Sequence, residues 1–187
     1  MFNERKAAQV AAWFLKQSGG RMPHLKLIKL MYLAERESLR QHGEMITGDR
    51  FVAMEHGPVL STTLDCINGY KRPSKGGWES WISDREDHAV ELRDRGLVRG
   101  TLDEVSDAEV GVLEAVWAQF GTWDQWRLVD FLHDPKNCPE WTDPNGSSTP
   151  IAFSAVLQGV GYSPADAARL AGEIEEHNAI DRVFASL

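Results

Sequence analysis

The stretch from Leu25 to Ala34 constrains this chain more than any other. Leu25, Leu27, Ile28, Leu30, Met31 and Leu33 fall within a helix that the pattern runs from Pro23 to about His42, where Gly43 stops it. A helix apolar on most of its circumference belongs in the middle of a domain, covered on several sides. Its remaining polar stripe is basic, built from Lys26, Lys29, Arg36 and Arg40. That stripe has two readings. It is either a phosphate-facing surface, as in a helix-turn-helix, or a solvated face or internal partner for acidic groups. The second is favoured, because so apolar a helix is too buried to enter a groove and the chain's formal net charge is −8.

Helix signals dominate the rest. Ala7, Val10, Trp13 and Phe14 recur at helical spacing over residues 3–17, closed by Gly19-Gly20. Residues 50–56 read as a strand between Gly48 and Gly57-Pro58, and Pro58 then suits the first turn of a helix ending near Asn68. Residues 70–78 form a loop by their Pro, Gly and Ser content, and His88–Leu92 is expected to pair with the 50–56 segment. Ser106-Asp-Ala-Glu109 and Thr122-Trp-Asp-Gln125 are capping-box patterns opening helices to Phe120 and about His133. Pro135–Thr149 is the one long loop. Thr149-Pro150 restarts a helix to about Val160, and Ser163-Pro164 starts the last, with Leu170, Ile174, Val183 and Phe184 on its buried side. The expectation is one compact, mainly α-helical domain over residues 1–187, with about seven helices and a small two-stranded β element.

Composition narrows the class further. At 187 residues and 42% hydrophobic the chain has material for a real core. No stretch approaches the roughly 18 uninterrupted apolar residues of a membrane span. Met1-Phe2-Asn3-Glu4-Arg5-Lys6 has no signal-peptide pattern, and Cys66 and Cys138 sit in no metal or redox spacing, so a reduced, cytoplasmic setting is expected. Charge is lopsided. Residues 1–75 hold 12 Lys+Arg against 7 Asp+Glu, a net of +5, and residues 76–187 hold 8 against 21, a net of −13. Either the halves attract each other within the fold, or an acidic C-terminal surface engages a basic protein.

There is no His-Glu-x-x-His, paired Cys-x-x-Cys, Gly-x-Ser-x-Gly or Gly-Lys-Ser/Thr phosphate loop. Glu55 and His56, adjacent on a strand, would point to opposite faces, and His133 suits a helix C-terminus. No cofactor or metal is expected. A hydrolase built from Glu55, His56 and His133 would need convergence from distant segments. Seven tryptophans is a high count, and four (Trp117, Trp123, Trp126 and Trp141) lie within 25 positions. Trp117 fits a buried helix face, whereas Trp78, Trp81 and Trp141, in or beside loops, are the interface candidates.

Two segments then carry a resemblance. Leu27-Ile28-Lys29-Leu30-Met31-Tyr32-Leu33-Ala34-Glu35, followed by Phe51-Val52-Ala53-Met54-Glu55-His56-Gly57-Pro58-Val59, resembles the signature of the Panacea domain, the SocA-like antitoxin family also known as phage-associated proteins. Leu113-x-x-Val116-Trp117-x-x-Phe120-Gly121, then Leu128–His133, then Pro139-Glu140-Trp141 looks like the family's later segment. Leu132 stands where Thr is common, and Glu140 is inserted between Pro139 and Trp141. The matching motif residues are Lys29, Tyr32, Glu55, His56, Gly57, Pro58, Val59, His133 and Trp141. The resemblance implies a non-enzymatic helical protein that neutralises a cognate toxin by direct binding, one type handing its toxin to the ClpXP protease as an adaptor. In the residues themselves, Gly57-Pro58 makes a sharp turn, with His56 and Tyr32 closing it by hydrogen bonds. Candidate partner contacts are Trp78, Trp81, Trp141 and the acidic C-terminal residues Glu173, Glu175 and Glu176. The alternative function is a DNA-binding autoregulator using Lys26, Lys29, Arg36 and Arg40.

Overall fold

A computed structural model describes residues 1–72 and 74–184, with the side chains of residue 175 and residues 177–184 outside the description. Among the described residues there are seven α-helices and two small sheets. The helices are α1 (Glu4–Gln17), α2 (His24–His42), α3 (Ser61–Ile67), α4 (Asp107–Phe120), α5 (Gln125–His133), α6 (Phe153–Gly159) and α7 (Pro164–Phe184). Strands β1 (Arg21–Pro23) and β4 (Ala89–Glu91) pair antiparallel, and a second sheet has the order β3 (Gly57–Leu60), β2 (Phe51–Met54), β5 (Thr149–Pro150).

The central-helix expectation holds. Every residue of α2 from Leu27 to Glu35 is buried, and α1, α4, α5, α6 and the β3 strand all pack on it. Pro23 precedes its first turn, and Gly43 ends it in the left-handed conformation, its N–H returning to Leu39 O. Helix α4 opens with the expected capping box, the Ser106 hydroxyl accepting from Glu109 N while the Glu109 carboxylate takes Ser106 N. The α5 cap falls instead on Asp124, whose carboxylate accepts from Trp126 N and Arg127 N. An acidic oxygen two residues nearer the helix outcompetes the Thr122 hydroxyl.

The β expectations need three corrections. Residues 57–60 are a strand, not the start of a helix, and they return on β2 with Met54 opposite Gly57 across a two-residue turn, Glu55-His56. Segment 88–92 therefore does not pair with 50–56. The hairpin closes a far shorter loop, and β4 pairs with β1, helped by an Arg21–Glu91 ion pair of 2.9 Å. Thr149-Pro150 lies on the free edge of β2, where a proline's missing N–H costs nothing, and α6 starts later, at Phe153. In α7, Leu170 packs against the core; the Val183 and Phe184 side chains lie outside the described residues. Both cysteines are free and buried.

Helix α3 shows why its start was misplaced. Its cap comes from outside the segment: Asp49 accepts from Thr62 N at 2.9 Å, from Thr63 N at 2.7 Å and from the Thr63 hydroxyl at 2.8 Å. Replacing this buried carboxylate strands these three donors and the Arg50 N–H it also accepts from, so Asp49→Ala is expected to lower stability by about 2–3 kcal/mol. A urea titration showing less than about 0.5 kcal/mol of change would contradict the assignment of Asp49 as the α3 anchor.

Candidate functional site

Motif residues separated by more than a hundred positions meet around Gly57. This residue sits at φ +91°, and a Cβ there would lie 3.2 Å from Lys29 Nζ and 3.4 Å from the His133 ring. The position requires glycine both for its left-handed backbone and for the close approach of two side chains. Because β3 is an edge strand, Lys29 Nζ can donate to Pro58 O, at 2.8 Å. His133, at the end of α5, stacks on Trp141 with ring centroids 4.0 Å apart and planes 9° from parallel. The Trp141 indole N–H donates to Met54 O at 3.1 Å, fastening the loop after α5 to the hairpin. Val59 is buried, while Glu55 and His56 form the exposed turn.

Beside this cluster lies a second buried network. Glu140, its side chain wholly buried, accepts from Tyr32 Oη at 2.7 Å and lies 2.7 Å from Arg36 Nε; Arg36 also donates to Gly159 O at 3.2 Å. Tyr32 does not close the hairpin turn, as the sequence suggested. It turns the other way, to Glu140, and its ring packs at right angles on Phe51. His56 likewise closes nothing by hydrogen bonding and stands edge-on to Trp126 at 5.7 Å. The turn is held by the β2–β3 ladder and Lys29.

Burial dominates the electrostatics. It pulls the Lys29 amine down to about 7, against a weaker upward pull from Cys138. It pushes the Cys138 thiol up to about 12 and Tyr32 well above its usual value. His133 is lowered by burial and then by Lys29, with Asp130 and Asp143 pulling upward and His56 downward. His133 Nε2 is buried with no hydrogen-bond partner. Lys29 and His133 thus crowd one another beside Gly57, where both are shifted towards their neutral forms. Among the described residues no group of three His, Cys, Asp or Glu side chains is arranged to hold a metal ion.

The basic stripe of α2 is mostly withdrawn from solvent. Lys26 donates to Gly121 O at 2.7 Å and lies over the Trp117 ring at 5.5 Å. Lys29 is fully buried, Arg36 is paired with Glu140, and Arg40, the exposed member, is held by Glu37. The stripe therefore offers no continuous phosphate-facing surface: Lys26 and Lys29 go to backbone carbonyls, and Arg36 is the member that serves as internal partner for an acidic group.

The interface candidates fare unevenly. Trp78 is buried at 4% exposure, its backbone N–H bonded to Glu4 Oε1, so its place beside a loop misled. Trp81 and Trp141 are half-buried. Glu173 is exposed, pairs with Arg169 and lines a groove of about 860 Å³ with Phe51, Ile151 and Phe153 on its wall. Glu176 is exposed, and the Glu175 side chain lies outside the described residues. The tryptophan that does face solvent is Trp126, at 53% exposure. Helical spacing could have found it: Leu128, Val129 and Leu132 point inward, which puts residue 126 on the far side of α5.

The family model for the antitoxin SocA-like Panacea domain matches residues 27–142. The chain belongs to the SocA-like Panacea family. No curated protein and no solved structure matches it. The Panacea match begins within α2 and ends just past Trp141, so it contains every residue of the Gly57 cluster and of the Tyr32–Arg36–Glu140 network. Helices α1, α6 and α7 lie outside it.

The buried amine gives this core a pH signature. Unfolded, Lys29 titrates near 10.5; folded, near 7. Between those values the unfolded chain binds more protons, so stability rises with pH, by up to about 1.4 kcal/mol per unit. Cys66 and Cys138, raised from 9.0 to about 12 in the fold, act oppositely only above their unfolded value. From pH 7 to 9 the urea midpoint of the wild type should therefore climb and that of Lys29→Met stay nearly flat. Equal slopes in the two proteins would refute this.

Proposed function

We propose that this chain is an antitoxin that neutralises a cognate toxin protein by binding it directly. Membership of the SocA-like Panacea family carries the reading, because that family implies a toxin as the kind of partner. The acidic excess of residues 76–187 and the solvent-facing indole of Trp126 suit a protein-binding module. Neutralisation proceeds by occlusion of the toxin or by its presentation to ClpXP, and the two differ in whether the toxin disappears. Among the described residues no helix is long and apolar enough to cross a membrane. The autoregulator reading rested on the α2 stripe and loses its support with the burial of Lys29 and the pairing of Arg36.

The test is co-expression with the product of the neighbouring gene, scored by growth and co-purification. The neighbour alone should arrest growth, and the pair should grow and elute together from an affinity column. Toxicity that persists with this chain present, with no co-elution, would reject the pairing. Toxin levels that fall only in cells with intact ClpXP would select presentation over occlusion.

A further inference from the structure

One edge of α5 is built unlike the rest of the surface. With Leu128, Val129 and Leu132 turned inward, Trp126, Asp130 and His133 follow one another along the opposite edge at i, i+4 and i+7. The β2–β3 turn lies alongside, bringing the His56 ring to 5.7 Å from Trp126 at 89° and exposing Glu55. Glu55 and Asp130 are exposed carboxylates that make no ion pair among the described residues.

The fold already places cations on two of its tryptophans. Arg127 lies over Trp123 at 3.9 Å, and Lys26 over Trp117 at 5.5 Å. Among the described residues no lysine or arginine sits over Trp126, although it is the most exposed indole. The neighbouring cations are committed elsewhere, Arg127 to Trp123, Lys26 to Gly121 O and Lys29 to Pro58 O. On this face His133 is held towards its neutral form by burial. What remains is an aromatic surface flanked by unpaired negative charge, which attracts an ammonium or guanidinium group and repels phosphate.

We propose that the Trp126–His56 face docks a cationic segment of the partner protein, with a lysine or arginine side chain seated on the exposed indole between the Glu55 and Asp130 carboxylates. That the partner is a toxin rests on the antitoxin reading; the charge and aromatic character of the face do not.

Two arms separate these claims. In the first, the indole N–H resonances of ¹⁵N-labelled protein are followed by NMR while hexa-arginine is added, with hexaglutamate as the control peptide and Trp126→Phe to assign the Trp126 signal. The Trp126 signal should move with hexa-arginine and not with hexaglutamate, and the buried Trp78 should stay still. Asp130→Asn and Glu55→Gln should each weaken the response several-fold, as should raising the salt from about 50 to about 200 mM. An unmoved Trp126 signal, an equal response to hexaglutamate, or a shift that follows protein concentration without peptide, the mark of a second copy on this face, would each overturn the proposal. In the second arm the neighbouring gene's product is captured by wild type, Trp126→Ala and Asp130→Asn, each checked for native thermal unfolding. Losses of about tenfold or more in affinity are expected for Trp126→Ala. Capture by the wild type with no loss in either variant removes the docking face and leaves the antitoxin reading standing. No capture by the wild type removes that reading, and the peptide titration then decides the face alone.

Discussion

Burying α2 on all sides creates a problem that the rest of the structure is arranged to solve. Four polar side chains, Lys29, Tyr32, Glu35 and Arg36, lie in or against the core, and a buried polar group without a partner costs several kcal/mol. Each finds its partner outside α2. Lys29 takes the Pro58 carbonyl of the hairpin, and Glu35 accepts from Ile46 N, Thr47 N and the Thr47 hydroxyl of the following loop. Tyr32 and Arg36 share Glu140, and Arg36 reaches on to Gly159 O at the end of α6. Apolar contacts tolerate small slides; these bonds do not, so they fix where hairpin, loop and α6 sit on the central helix.

The same arrangement explains why the motif residues gather without forming an evident catalytic centre. Lys29, Gly57 and Pro58 hold the hairpin, while His133 and Trp141 hold the loop after α5 to Met54 O. A fully buried amine cannot meet a substrate in this conformation. The cluster is a clasp joining three chain segments, and the family match from residue 27 to 142 is in large part the span of that clasp. A scaffold shared at this level secures the fold and leaves partner choice to what surrounds it. The candidate contact residues accordingly lie at its rim, on the turn, on the outer edge of α5, and on α7 beyond the match.

Local signals in the sequence were legible, and relations between distant segments mostly were not. Helix periodicity, stop signals and caps placed α1, α2 and α4 within a residue or two, because the Ala7–Phe14 spacing, Gly43 and the Ser106–Glu109 box are local. The start of α3 was missed because its cap, Asp49, lies outside the segment. The partner of β4 was missed because three residues, Arg21–Pro23, are too few to show an alternating pattern. Trp78 was misjudged because a 3₁₀ turn beside a loop is still buried when Glu4 of α1 bonds its backbone. The signature residues were visible as strings, but nothing in the strings tells that Lys29 and His133 flank the same glycine, since that depends on how α5 and the hairpin stack on α2.

Withdrawing the basic stripe also alters the charge the molecule shows its surroundings. Residues 1–75 hide acid as well as base: Lys29 is fully buried, Arg36 is paired with a buried carboxylate and Lys26 is half-buried on Trp117, while Glu4, Glu35 and Asp49 are buried too. Among the described residues of 76–187 the principal hidden carboxylate is Glu140. The acidic excess of residues 76–187 therefore stays largely on the outside. Such a field slows approach to nucleic acid and speeds approach to a basic protein, most strongly where unpaired carboxylates border a low-dielectric aromatic surface. The burial of α2 thus does two things at once: it consumes the residues that suggested DNA binding, and it leaves on the outside the charge and the indole that favour a cationic protein partner.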